Sequence, residues 1–168
     1  MNRFALLGLC LAGCSVDDGG TSSCLTGTTD ICAGDNVCLG NACAPAFPHD
    51  YVITNLSVTA PTLKPDGTPW DPDADGSPDL FVDISVNGTI VATTDVLMNS
   101  YNATFAGPYT VSLTTGAALD LASSDSDGTT SEPVYDCPIP TVTASILRVR
   151  YVLCSGPGVT INYTIDPT

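Results

Sequence analysis

The chain has 168 residues, of which 18 are acidic and only 4 are basic, so its formal net charge is −14 at pH 7. This length allows one domain with a small appendage. The charge excludes nucleic-acid binding through phosphate neutralisation and argues against direct attraction to an anionic membrane surface. Any anionic partner would therefore need a bridging cation.

An apolar segment lies at the beginning of the chain, where residues 4–12 follow the basic Arg3. This run is too short to span a hydrocarbon core, which needs about 20 residues, and it predicts a signal peptide over residues 1–13. Residues 11–14 read LAGC, which resembles the lipobox of bacterial lipoproteins. The resemblance implies that Cys14 carries a diacylglycerol group and becomes the first residue of the mature protein. An ordinary secretory signal with an incidental cysteine is the alternative.

The lipobox resemblance also implies a location. The mature protein is expected in the cell envelope, attached to a membrane through its lipid, with residues 14–23 as a flexible linker. Ser15 stands where an aspartate would resemble an inner-membrane retention signal. The outer membrane is therefore favoured, with the domain facing either the periplasm or the medium.

Six cysteines remain once Cys10 leaves with the signal peptide and Cys14 is lipidated. In an oxidising compartment an even number of cysteines predicts disulfides. Four lie within residues 24–43, a segment too poor in large apolar side chains to form a core, which resembles the Cys-rich stalk modules that follow a lipobox in many bacteria. Zinc is the alternative, but the spacing lacks a C-x-x-C pair and only His49 lies nearby. The six cysteines are Cys24, Cys32, Cys38 and Cys43, with their pairing open, and the predicted pair Cys137–Cys154.

The remainder of the chain is rich in short β-forming segments. Residues 44–50 are predicted as a linker, and no later window has helical periodicity. Asn87-Gly88 marks a tight hairpin between two of the segments. Strands at roughly ten-residue spacing predict an all-β fold, an antiparallel β-sandwich of about eight strands over residues 51–168. The predicted strands are 51–59, 80–86, 89–94, 109–113, 118–122, 145–153 and 159–165.

Eight of the acids cluster in two loops rather than spreading evenly along the chain. Neighbouring carboxylates repel by about 3 to 4 kcal/mol per pair at an effective dielectric near 20, so such clusters usually hold a cation. Calcium accepts six to eight oxygen ligands in flexible geometry, whereas zinc and copper prefer imidazole and thiolate ligands. Acids that only keep the surface soluble are the alternative. The two clusters are Asp71, Asp73, Asp75 and Asp79, and Asp125, Asp127, Glu132 and Asp136.

Three segments together resemble C2 domains. Residues 67–82, which read GTPWDPDADGSPDLFV, are similar to the first calcium loop of that family, with Asp73 six residues before Asp79. Residues 94–105 resemble the next family segment, and residues 119–132 resemble the third loop, with its D-x-D pair and a later acid. The resemblance implies a C2-like sandwich that binds calcium. The implied ligands are Asp73, Asp79, Asp125, Asp127 and Glu132, with Asp71 and Asp75 as further candidates.

The chain departs from that family at identifiable positions. The family usually has aspartate where Glu132 stands, and its basic strand cluster for phosphoinositides has no counterpart here. Asp71, Asp73 and Asp75 also form a D-x-D-x-D-G pattern that resembles the calcium loops of thrombospondin-type repeats. The twelfth position counted from Asp71 is Val82, which excludes an EF-hand. Both resemblances imply calcium.

Catalysis is not predicted. His49 is the only histidine, which rules out the usual triads, and the Ser, Gly and Asp residues around the acids make poor walls for a glycosidase site. Two functions remain open. The chain is either a calcium-dependent module for an anionic lipid, polysaccharide or protein, or a structural or interaction sandwich with at most a stabilising calcium ion.

Overall fold

The computed structural model describes residues 23–26, 29–71 and 76–168. Strands dominate these ranges, and one short helix accompanies them. In chain order the elements are β1 (Leu25–Thr26), β2 (Thr29–Asp30), β3 (Asn36–Leu39), β4 (Ala42–Pro45), β5 (His49–Thr59), β6 (Leu80–Val86), β7 (Thr89–Thr93), β8 (Asn102–Thr104), β9 (Tyr109–Leu113), β10 (Leu119–Ser126), β11 (Ser131–Ile139), α1 (Ala144–Val149), β12 (Tyr151–Gly156) and β13 (Val159–Pro167).

Two antiparallel sheets form the main body. One has the strand order β11-β10-β6-β7, and the other has the order β12-β13-β5-β8, with β9 also paired to β5. Alternating side chains of β6, β10 and β13 are buried, because the period-two geometry of a strand sends every second residue to the same face. The two apolar faces meet in one core. The predicted all-β antiparallel sandwich is therefore confirmed.

One predicted strand is partly wrong. The sequence predicts residues 145–153 as extended, but α1 occupies Ala144–Val149 and β12 begins only at Tyr151. The hydroxyl of Thr143 caps the helix by accepting a hydrogen bond from the amide of Ile146, and Arg150 ends it in the left-handed region at φ 62°. Ala144 and Leu147, three residues apart, supply the buried helix face. With six residues, this helix is too short to produce a recognisable helical periodicity of apolar residues in the sequence.

The Cys-rich segment packs directly against the sandwich. Its disulfides are Cys24–Cys38 and Cys32–Cys43, and buried Val37 on β3 belongs to the main core. The guanidinium of Arg148 donates hydrogen bonds to the carbonyls of Gly34 at 2.7 Å and Asn36 at 2.9 Å. These contacts join the hairpin β3–β4 to helix α1.

Residues 44–50 connect the Cys-rich segment to the sandwich. Strand β4 continues to Pro45 and β5 already begins at His49. Between them Ala46 is fully buried, and its carbonyl accepts a hydrogen bond from the Tyr51 hydroxyl at 2.7 Å. The connection between the Cys-rich segment and the sandwich is thus held by core contacts.

The third disulfide joins Cys137 on β11 to Cys154 on β12. These strands are edges of opposite sheets, so the disulfide links the two sheets covalently along one side of the sandwich. The predictions for residues 1–22, including the signal peptide and Cys14, lie outside the described residues. Among the residues that are described, no helix is both long and apolar enough to cross a membrane.

Candidate metal site

The site lies where β6 begins and β10 ends. Asp79 immediately precedes β6, and Asp125 is the penultimate residue of β10, its neighbour in the sheet. The amide of Asp79 donates a hydrogen bond to Oδ1 of Asp125 at 2.6 Å, and the amide of Ser126 donates to the Asp79 carbonyl at 2.9 Å. Asp79 is 8% exposed and Asp125 is 1% exposed. Strand pairing therefore brings one acid from each predicted loop into a buried contact.

A third loop holds the side chain of Asp79. Oδ1 of Asp79 accepts a hydrogen bond from the amide of Asn99 at 2.7 Å. Asn99 has φ 53°, a left-handed conformation that asparagine adopts more readily than most residues. Backbone hydrogen bonds between Leu80 and Leu97 bring this loop to the start of β6. All three segments that resemble C2 domains therefore contribute to one end of the sandwich.

The second carboxylate oxygen of Asp125, Oδ2, is buried without a hydrogen-bond partner. Burial raises the pKa of Asp125, and the charges of Asp127 and Asp79 raise it further, while the Asp79 amide and Lys64 oppose the shift. Buried polar atoms normally have partners, because desolvation without a hydrogen bond is unfavourable. Oδ2 of Asp125 is thus a hard oxygen ligand available to a cation.

Asp127 is exposed just beyond the end of β10. Its amide donates a hydrogen bond to the Thr130 carbonyl at 3.0 Å, and this contact closes the turn toward β11. Its charge acts on Asp125. The structure therefore places Asp127 at the rim of the site, beside the buried pair.

Glu132 lies opposite Asp125 on β11, but its carboxylate already has a cationic partner. It forms an ion pair with the ammonium of Lys64. Lys64 has no predicted role in the sequence patterns described above. The available signal was that Lys64 is the only lysine in the chain and stands seven residues before the first acidic cluster.

The remaining predicted ligands are Asp71, Asp73 and Asp75. Asp73 and Asp75 lie outside the described residues, and Asp71 is partly buried. Across the described ranges, no three carboxylates bring oxygens within 4.8 Å of one another, and the one group that meets this distance is Cys24, Cys32 and Cys43. All three of those cysteines are in disulfides. Among the described acids, Asp79 and Asp125 are therefore the pair that the strands hold together in a buried contact.

The chain resembles known proteins in its three-dimensional structure and not at the level of family models or curated sequences. No family model and no curated protein matches the chain. Among solved structures, an isolated C2 domain matches with a TM-score of 0.55 at 16% identity, covering 71% of this chain and 97% of the other. The chain has a C2-like fold. The first C2 domain of plant extended synaptotagmin 1 matches with a TM-score of 0.54 at 11% identity, covering 72% of this chain and 96% of the other.

The calcium-bound tandem C2 domains of extended-synaptotagmin 2 also match, with a TM-score of 0.53 at 12% identity. That match covers 71% of this chain and 45% of the two-domain chain, so the chain spans less than half of that structure's length. At such identities the likeness concerns the fold alone. Within the C2-like sandwich, the acids near Asp79 and Asp125 must be judged by their own geometry.

Proposed function

We propose that this chain is a lipid-anchored module whose C2-like domain binds calcium and, through it, an anionic partner. The observation that carries the proposal is the unpartnered Oδ2 of Asp125, held 1% exposed beside Asp79. A buried carboxylate with a free oxygen needs either a proton or a cation. A calcium ion at this position would satisfy it and offset the repulsion among Asp79, Asp125 and Asp127.

The chemistry of the acids favours calcium. The set consists of carboxylate oxygens on loops, which suits a hard cation with flexible geometry better than zinc or copper. Asp79 and Asp125 would be the buried ligands, with Asp127 and Glu132 at the rim. Asp73, six residues before Asp79, is proposed to complete the sphere. A calcium-bound pair of C2 domains shares the fold, while the ligand assignment rests on the acids of this chain.

The role of calcium would be to invert the local charge. The chain carries a net charge of −14, so an anionic surface repels it unless a cation lies between them. A calcium ion at the tip of the sandwich would bridge to an anionic lipid, polysaccharide or protein carboxylate. We propose no catalytic activity and no nucleic-acid partner for this chain.

The proposed anchor is a diacylglycerol on Cys14, with the protein in the cell envelope and on the outer membrane. Lipid attachment would keep this acidic domain close to a membrane, since each buried methylene contributes about 0.8 kcal/mol. Metabolic labelling with a fatty acid tests the anchor. Label should enter the wild-type protein and be lost in Cys14→Ser, and label in neither protein would exclude lipidation.

Calcium titration of thermal stability tests the metal site. At a calcium concentration about 100 times Kd, one site raises the free energy of unfolding by about 2.7 kcal/mol. The melting temperature of the wild type should therefore rise, and Asp79→Asn and Asp125→Asn should reduce or abolish the rise. Asp50→Asn, which changes an exposed acid at the start of β5 and away from the cluster, is the matched control and should respond like the wild type. No calcium response in the wild type would exclude the site.

The second candidate is a structural or interaction sandwich in which calcium, if bound, only stabilises loops. The Lys64–Glu132 ion pair favours this candidate, because it already neutralises one of the acids. Sedimentation with anionic and neutral vesicles, and glycan binding, each with and without chelator, distinguish the two. Calcium-dependent stability with no calcium-dependent partner would support the structural role.

A further inference from the structure

The only lysine of the chain lies inside the acidic end of the sandwich. The Lys64 side chain is 20% exposed, and its ammonium pairs with Glu132. The same nitrogen lies 5.7 Å from the ring centroid of Trp70, within the range of a cation–π contact. Exposed lysines usually gain little from an ion pair because ordering a long side chain costs entropy. Here a second contact helps to hold the ammonium in place.

The backbone also fixes where Lys64 can reach. Its amide donates to the Thr68 carbonyl at 2.8 Å, and its own carbonyl accepts from the Gly67 amide at 2.9 Å. Gly67 closes this turn at φ 86°, a conformation that side chains disfavour. The indole of Trp70 is 2% exposed, and its Nε1 donates to the Pro61 carbonyl at 2.8 Å. Turn and indole together direct the ammonium toward the acids.

The charge of Lys64 acts on more than its direct partner. The hydrogen bond that its ammonium donates to Glu132 raises the pKa of Lys64, and the charges of Asp127 and Asp125 act in the same direction. Reciprocally, Lys64 opposes the rise in the pKa of Asp125. The ammonium is thus paired directly with Glu132, which lies opposite Asp125 across the β10–β11 pair.

We propose that Lys64 is a built-in counter-ion of this site and that calcium competes with it. Without calcium, the ammonium neutralises Glu132 and lowers the repulsion within the acidic end. With calcium beside Asp125, the two cations repel, so Lys64 weakens calcium binding and sets the affinity of the site. This inference rests on the proposed calcium site and adds a regulatory residue to it.

Isothermal titration with calcium chloride tests the competition. Lys64→Gln should bind calcium roughly three- to tenfold more tightly than the wild type, as expected when one neighbouring like charge is removed from a partly screened site. Lys64→Arg keeps the charge and should remain near the wild-type affinity. Lys64→Met keeps the apolar stem over Trp70 and should match Lys64→Gln, so a folding defect of one variant does not decide the test.

A charge change far from the site controls for the effect of the net charge of the protein on calcium binding. Thr110→Glu lowers the net charge by one, as Lys64→Gln does, but lies on β9 opposite Val52, far along β5 from the acidic end. It should change the calcium affinity by less than about twofold. The melting temperature in chelator should fall in Lys64→Gln, and this deficit should disappear at saturating calcium.

The outcomes separate the two claims. If the wild type binds calcium, Asp125→Asn abolishes binding, and both neutral Lys64 variants bind no more tightly than the wild type, the counter-ion inference is wrong and the calcium site stands. If neither the wild type nor Lys64→Gln binds calcium, the proposed function fails and the inference falls with it.

Discussion

The amide of Asp79 donates a hydrogen bond to Oδ1 of Asp125 at 2.6 Å across 46 positions of sequence. This contact joins the loop before β6 to the end of β10. It uses one oxygen of the Asp125 carboxylate, Oδ1, as a hydrogen-bond acceptor. The other oxygen, Oδ2, is left buried and without a partner. The same carboxylate therefore has a structural role through Oδ1 and a candidate ligand role through Oδ2.

The two roles can be separated by substitution. Asp125→Ala removes the acceptor of the Asp79 amide and should lower the free energy of unfolding by about 1 to 3 kcal/mol without calcium. Asp125→Asn keeps an acceptor and removes the repulsion with Asp79 and Asp127, so its loss should be clearly smaller. Urea unfolding in chelator measures both values, and equal losses would contradict the assigned role of Oδ1.

Asp120, a partly buried acid on β10, predicts a pH dependence of stability. Burial raises the pKa of Asp120, and the charge of Asp136 raises it further. Because the pKa is higher in the folded protein, the folded state binds the proton more tightly, and stability falls as pH rises from the ordinary aspartate range through the raised value. Asp120→Asn removes this effect.

Asp120→Asn should therefore be more stable than the wild type at about pH 7, with the advantage shrinking toward about pH 4. Urea unfolding across that range, in chelator, gives the comparison. Asp136→Asn changes an exposed neighbour and should give a smaller gain of the same sign. A difference between Asp120→Asn and the wild type that does not vary with pH would rule out this explanation.

The Cys137–Cys154 disulfide should make a large contribution to stability. It links edge strands of opposite sheets across a sequence separation of 17 residues. Replacing both cysteines by alanine should lower the free energy of unfolding by about 3 kcal/mol, within the usual range for such a loop. Urea unfolding of the double variant measures this loss. A loss well under about 1 kcal/mol would mean that β11 and β12 are held mainly by packing.

Arg148 should control how firmly the Cys-rich segment is attached. Its guanidinium donates to the carbonyls of Gly34 and Asn36, and charge-assisted hydrogen bonds are stronger than neutral ones. In Arg148→Gln, amide hydrogen exchange over β3 and β4 should accelerate while β10 and β13 keep their protection. Unchanged exchange in the hairpin would show that Val37 and the core contacts suffice.

Much of the fold follows from local sequence patterns. Strands β6, β10 and β13 alternate buried and less buried residues, and Asn87-Gly88 closes the hairpin between β6 and β7. The short helix α1 cannot be predicted from periodicity, because it has only six residues. Its end at Arg150 also depends on a left-handed backbone conformation. Strand β11 is not predicted from the sequence because it contains Pro133 and Pro138. Proline lacks a backbone amide hydrogen, but it is tolerated in β11 because this strand lies at the edge of its sheet.

The candidate site is only partly predictable. The clustering of acids points to Asp79 and Asp125, because Asp79 immediately precedes one clearly alternating strand and Asp125 lies at the end of another. Their contact depends on β6 and β10 being neighbours in the sheet, which no local pattern specifies. The role of Lys64 depends on a turn and an indole that place its ammonium beside Glu132, a residue 68 positions later. Long-range pairing of this kind is a property of the folded chain.

The most direct test of the calcium site is isothermal titration of the purified protein with calcium chloride, comparing the wild type with Asp125→Asn. The wild type should give a saturable binding isotherm, and Asp125→Asn should give none, because the buried ligand charge is removed while the fold is kept. Circular dichroism would confirm that both proteins are folded. The absence of calcium binding in the wild type, or the same isotherm in both proteins, would contradict the account.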